Sequence, residues 1–66
     1  MKLAANPTGK PLEQWSMGWL KFEVAAILGM PEYIMMFPGE CRERGLPATE
    51  DQMRAYIRLT GWEYRA

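Results

Sequence analysis

From Gly18 to Phe37 the chain reads GWLKFEVAAILGMPEYIMMF, with only Lys21, Glu23 and Glu32 charged. On a helical wheel from Trp19 to Leu28, Lys21 and Glu23 fall apart from one another, so no broad polar face forms. A helix that is apolar on nearly every side must be enclosed by its own protein or by a partner. Pro11 suits a first helical turn, where its missing N–H is harmless. The spacing therefore predicts a helix from about Leu12, with Trp15 and Trp19 at i and i+4 on one face. It continues through Leu28 and stops at Gly29; Gly18 within it is a kink or a point of close approach. Pro31 restarts the chain, and Glu32 to Phe37 reads as one or two helical turns ended by Pro38-Gly39. Glu40 to Arg44 forms a short polar segment closed by Gly45, and Leu46-Pro47 an extended hinge.

The last helix carries the clearest signals. Thr49 is an N-cap with Gln52 three residues on, a capping box, and Glu50 and Asp51 suit the positive end of the helix dipole. Met53, Tyr56, Ile57 and Thr60 make a stripe that Ala55 and Leu59 widen, with Asp51, Arg54 and Arg58 opposite. Gly61 ends the helix, and Trp62 folds back as an anchor beside Tyr64. Asn6 to Pro11 holds two prolines and a glycine, which resist helix and central strand alike. No alternation typical of a sheet appears. The expected fold is all-α: a small bundle of three to four short helices over residues 11–66, with a flexible extended arm over residues 1–10.

Size then narrows the function. In 66 residues only about 60% of the unfolded surface can be buried, so stability is marginal. Such scaffolds lean on metals, disulfides or partners. There is no His and only one Cys, so neither a zinc site nor an intrachain disulfide is expected. That cysteine usage, and the early Asn6-Pro7 and Gly9 after Met1-Lys2-Leu3, point to a reducing, cytoplasmic setting without a signal peptide. Lys and Arg total 8 against 8 Asp and Glu, with a pI near 6.2. Nucleic-acid domains usually carry a basic footprint, which this chain lacks overall. No run reaches the roughly 18 apolar residues of a membrane span.

No catalytic constellation is legible, and neither a cofactor nor a small-molecule substrate is expected. Ser16 lacks any recognisable base, and Cys41, though close to Arg42 and Arg44, reads as a half-buried structural thiol. The chain has 6 Met, a residue over-used on surfaces that accept helices. Met53 fits a core, whereas Met35-Met36-Phe37 on a short helix cannot all point inward. Aromatic anchors dominate interfaces as well as small cores. Trp15, Trp19, Tyr33, Met35, Met36 and Phe37 are the candidate partner-binding residues, and the partner is another protein or a second copy. Arg54 and Arg58, one turn apart, are the candidates for phosphate; the plainer reading is a solvated face with Arg54 paired to Glu50.

Two family resemblances rest on particular residues. Thr49, Met53, Ala55-Tyr56, Arg58-Leu59, Trp62 and Arg65-Ala66 resemble the close of the bacteriophage T-type minor-tail assembly chaperones. Trp19 and Glu23 to Met30 are similar to the apolar helix and glycine that such viral proteins carry. The likeness covers about residues 15 to 66, and the family's helix tryptophan has no counterpart at Met53 or Arg54. It implies non-catalytic binding to tail components during tail assembly. Separately, Pro38-Gly39-Glu40-Cys41, Gly45-Leu46-Pro47, Thr49, Gly61-Trp62 and Arg65 resemble the Mu-type transposase and repressor DNA-binding domain. Val24-Ala25, Leu28-Gly29-Met30 and Ile34 are similar to helix-turn-helix spacing. That likeness implies a wingless DNA-binding protein contacting duplex through Arg54 and Arg58. The neutral charge and the Met-Met-Phe face favour a protein partner.

Overall fold

A computed structural model of the chain describes residues 9–60. Most of the expected arm, and the expected roles of Gly61, Trp62, Tyr64 and Arg65, lie outside the described residues. The described chain is all-α and carries no strand. It runs from a 3-10 segment at Leu12–Gln14 to α1 (Met17–Leu28), a second 3-10 segment at Pro31–Met35, α2 (Pro38–Glu43) and α3 (Glu50–Leu59).

The expected long helix from Leu12 to Leu28 is broken at Trp15–Ser16. Ser16 takes an extended backbone and its Oγ accepts the Trp19 N–H at 3.5 Å, so α1 starts there with a serine cap. Gly18 thus lies in the first turn of α1, where no kink is called for. The broken turn also sends Trp15 and Trp19 in different directions. Trp15 is buried, with its Nε1–H donating to the Lys10 carbonyl at 3.0 Å.

The far end of α1 follows expectation. Gly29 adopts φ 69°, its N–H donates to the Ala26 carbonyl, and the Met30 N–H reaches back to Ala25 at 3.0 Å. These paired bonds form a Schellman stop, which favours glycine at the left-handed position. The same geometry closes α2: Gly45 has φ 71°, and the Leu46 N–H donates to the Cys41 carbonyl at 2.8 Å. Pro38 does not end a helix, as the sequence suggested, but begins one. It occupies the first turn of α2, where a fixed φ and an absent N–H cost nothing.

α3 begins as its capping box requires. Thr49 Oγ1 accepts the Gln52 N–H at 3.1 Å, and Gln52 Oε1 accepts the N–H groups of Thr49 at 3.3 Å and Ala48 at 2.8 Å. α1 packs against α3 on one side and the second 3-10 segment on another. Leu20, Val24, Tyr33, Met53 and Ile57 are enclosed at the centre, with Leu12, Trp15, Met36, Cys41 and Ala48 around them.

Tyr33 links the second 3-10 segment to the loop before α3. Its hydroxyl donates to the Pro47 carbonyl at 2.5 Å. Burial, and secondarily the Cys41 sulfur, pushes its pKa up from 10.0 to about 12. An unfolded tyrosine loses its proton near 10 while the folded one keeps it to about 12. Between those values the unfolded state holds fewer protons, so stability falls as pH rises. Urea titrations of the wild type at rising pH should therefore show an alkaline loss of stability over that window. Tyr33→Phe should flatten that loss while costing about 1 kcal/mol at neutral pH through the missing hydrogen bond. An unchanged alkaline slope in Tyr33→Phe would rule out Tyr33 as its source.

Candidate functional site

The directions of side chains around α1 decide what the molecule shows to solvent. Leu20, Val24 and Ala25 face inward, Lys21 is half-buried, and Glu23 is buried at 6% exposure. Neither charge therefore supplies a solvated face. The outward stripe is Gly18, Trp19, Phe22, Ala26 and Gly29. A helix with apolar residues on both sides has almost no amphipathic contrast, and this one turns hydrocarbon to water over its whole length.

The stripe continues into the second 3-10 segment. Trp19 and Phe22 meet edge to face with ring centroids 6.0 Å apart, a favoured aromatic geometry. Phe22, Ala25, Ala26, Gly29, Pro31 and Ile34 then line an open depression of about 280 Å³. Its floor is low because Ala25 and Ala26 project only a methyl group and Gly29 none. Phe22 is 55% exposed, and beyond Ile34 the side chains of Met35 and Phe37 are 81% and 76% exposed. Soluble monomers rarely show contiguous apolar patches beyond a few hundred Å², and larger ones mark binding surfaces.

The six sequence-predicted partner residues divide evenly. Trp19, Met35 and Phe37 are exposed. Trp15, Tyr33 and Met36 are not surface groups: they are enclosed in the core. The break at Ser16 turns Trp15 inward. Tyr33 in the second 3-10 segment and Met36, which caps it, lie three residues apart, the period of that helix, so both meet the core while Ile34, Met35 and Phe37 face out. Phe22 and Ile34 were missed. They become legible once Leu20 and Val24 are assigned to the core, because Phe22 then has to lie on the opposite side of α1.

The two arginines proposed for phosphate are both engaged within the fold. Arg54 does not sit on the open face opposite the α3 stripe; its side chain is only 15% exposed. Its Nε–H donates to the Leu12 carbonyl at 3.2 Å, and one Nη2 reaches the Trp15 carbonyl at 3.1 Å and Glu50 Oε1 at 3.1 Å. Asp51 lies 3.8 Å away. Arg54 thus ties the end of the first 3-10 segment to α3, adding a bond to the Leu12 carbonyl, which also accepts the Trp15 N–H at 3.1 Å, and one to the Trp15 carbonyl. Arg58 pairs with Glu13 on the same segment. Arg54 is therefore committed to the fold, whereas Arg58 remains half exposed beside its glutamate.

A second open groove, about 580 Å³, lies between the end of α1, the loop before α3, and α3 itself, lined by Leu28, Leu46, Tyr56 and Leu59 with Arg42 at its edge. Cys41 is a buried free thiol. Among the described residues no group of three His, Cys, Asp or Glu side chains is placed to hold a metal ion. No helix among them is long and apolar enough to cross a membrane. Comparison with protein-family models, curated proteins and solved structures returned no match.

The contrast between the two arginines is measurable. Arg54→Ala leaves two half-buried carbonyls without their charged donor, so about 2 kcal/mol of stability should be lost. Arg58→Ala removes an exposed pair and should cost less than about 1 kcal/mol. Urea denaturation of the two variants, fitted to a two-state transition, decides the point; equal losses would show that Arg54 is not a tie between the first 3-10 segment and α3.

Proposed function

We propose that the protein is a non-catalytic protein-interaction module that docks through the outward face of α1 and the second 3-10 segment. The observation that carries this reading is the uncharged stripe Trp19–Phe22–Ala26–Gly29, continued through the depression to Ile34. Aromatic and apolar residues that survive on the surface of so small a fold are the usual anchors of protein interfaces. Trp19, Phe22, Ile34, Met35 and Phe37 are the contact residues in this reading. An adaptor acting in phage tail assembly, with the host cytoplasm or the virion as its setting, is the finer form of the proposal, and it rests on the resemblance of about residues 15 to 66 to the tail assembly chaperones. A wingless helix-turn-helix contacting DNA gains no corresponding observation, since Arg54 and Arg58 are bonded internally.

Contact residues must be tested on the surface. Trp15→Ala or Met36→Asp would strike the core and unfold the chain whatever its partner. Phe22→Asp places a charge at the centre of the exposed face without touching the core. Binding to a protein partner captured from the native source should persist at raised salt, because no phosphate counterions are released, and should be lost in Phe22→Asp with the melting temperature kept. Capture that survives Phe22→Asp, or affinity that collapses with salt as duplex DNA binding does, would refute this reading.

A further inference from the structure

Residue size along the exposed stripe of α1 is ordered from Trp19 onward. Beyond Gly18, its two bulky members, Trp19 and Phe22, come first, and the small Ala26 and Gly29 follow. Trp19 and Gly29 lie five positions either side of Val24, and Phe22 and Ala26 lie two positions either side. A second α1 laid antiparallel across this face, with a two-fold axis at the level of Val24, therefore sets large against small at each step. Trp19 of one copy meets Gly29 of the other, and Phe22 meets Ala26. The depression lined by Phe22, Ala26, Gly29 and Ile34 is the hollow that the incoming Trp19 would fill.

We propose that the face pairs with a second copy of the chain, as an antiparallel α1–α1 dimer in which Trp19 of each copy enters the other's hollow. This deepens the docking function proposed above and rests on it. A two-fold interface uses the same patch twice, so it must hold both knob and hole, and this patch holds both. Close approach of two helices requires small residues at the contact, which Ala26 and Gly29 supply. Charge does not oppose the pairing: the stripe carries none, and the chain as a whole has 8 basic and 8 acidic residues. Antiparallel packing also sets the dipoles of the two helices head to tail. The contact is one short helix from each copy with the second 3-10 segment beside it, so a reversible dimer is expected.

Sedimentation velocity of the full chain from about 1 μM to about 1 mM gives the equilibrium. Phe22→Ala replaces the large–small contact by small–small, and Ala26→Phe replaces it by large–large. Each should weaken the dimer at least about tenfold, and Phe22→Ala/Ala26→Phe should return it to within about threefold of wild type, because the contact is restored with its members exchanged. Circular dichroism melts confirm that each variant is folded. A chain that stays monomeric throughout this range overturns the proposal. If Phe22→Asp nevertheless abolishes capture of a different protein, the docking function stands and only its assignment to a second copy fails. A dimer that the exchange variant does not rescue overturns the antiparallel register.

Discussion

α1 has no polar side to turn outward, and the rest of the structure is arranged around that constraint. Leu20 and Val24 commit one side to Met53 and Ile57 of α3 and to Tyr33 of the second 3-10 segment. Once they are inside, helical geometry forces Trp19, Phe22 and Ala26 out, about half a turn away. Rotating the helix would only exchange one apolar face for another and bury Trp19 and Phe22 at the expense of the leucine and valine. The two charges do not break the tie. Lys21 is half-buried beside the core, and Glu23 is buried.

Much of the fold was legible because its boundaries are set by local chemistry. Thr49 and Gln52 satisfy each other's backbone donors, and Gly29 and Gly45 take the left-handed turns that stop α1 and α2. These depend on a few neighbouring residues and survive without knowledge of the tertiary structure. What escaped were the choices made by competition. Ser16 as a cap and Ser16 inside a helix begun at Leu12 are both reasonable, and the cap prevailed because breaking the helix lets both Leu12 and Trp15 reach the core. The i, i+4 spacing of Trp15 and Trp19 was real in sequence and meaningless in space. Pro38 is equally compatible with ending one segment and opening the next, and only the three-residue period of the Tyr33–Met36 turn distinguishes them.

The candidate site was half legible for a related reason. That the middle of the chain carries more hydrocarbon than its neighbours can cover follows from composition and length. Which side chains remain uncovered depends on the helix rotation and on the tighter period of the second 3-10 segment, and neither is visible before the partners of Leu20 and Tyr33 are known. Arg54 is the converse. Sequence placed it on a solvated face with Glu50, and that pair exists at 3.1 Å. The same guanidinium also bonds the carbonyls of Leu12 and Trp15, some forty positions away in sequence. Five donors in a fixed fork allow one arginine to do both.

The exposed hydrocarbon of α1 is not a failure of the sequence to encode solvated faces. α2 and α3 belong to the same small fold and pack around the same core, yet they send Glu40, Arg42, Glu43, Arg44, Glu50, Asp51 and Arg58 outward. Leu59 is the one large apolar side chain that α3 exposes widely. Polar and apolar residues are therefore sorted by position on two helices and left unsorted on the third. A chain selected only to fold alone would gain solubility at no cost to its core by placing Lys or Glu at the positions of Phe22, Ala26 or Ile34, none of which is enclosed. Apolar residues at all three positions, sharing one depression, are the ground on which the docking proposal for the outward side of α1 rests.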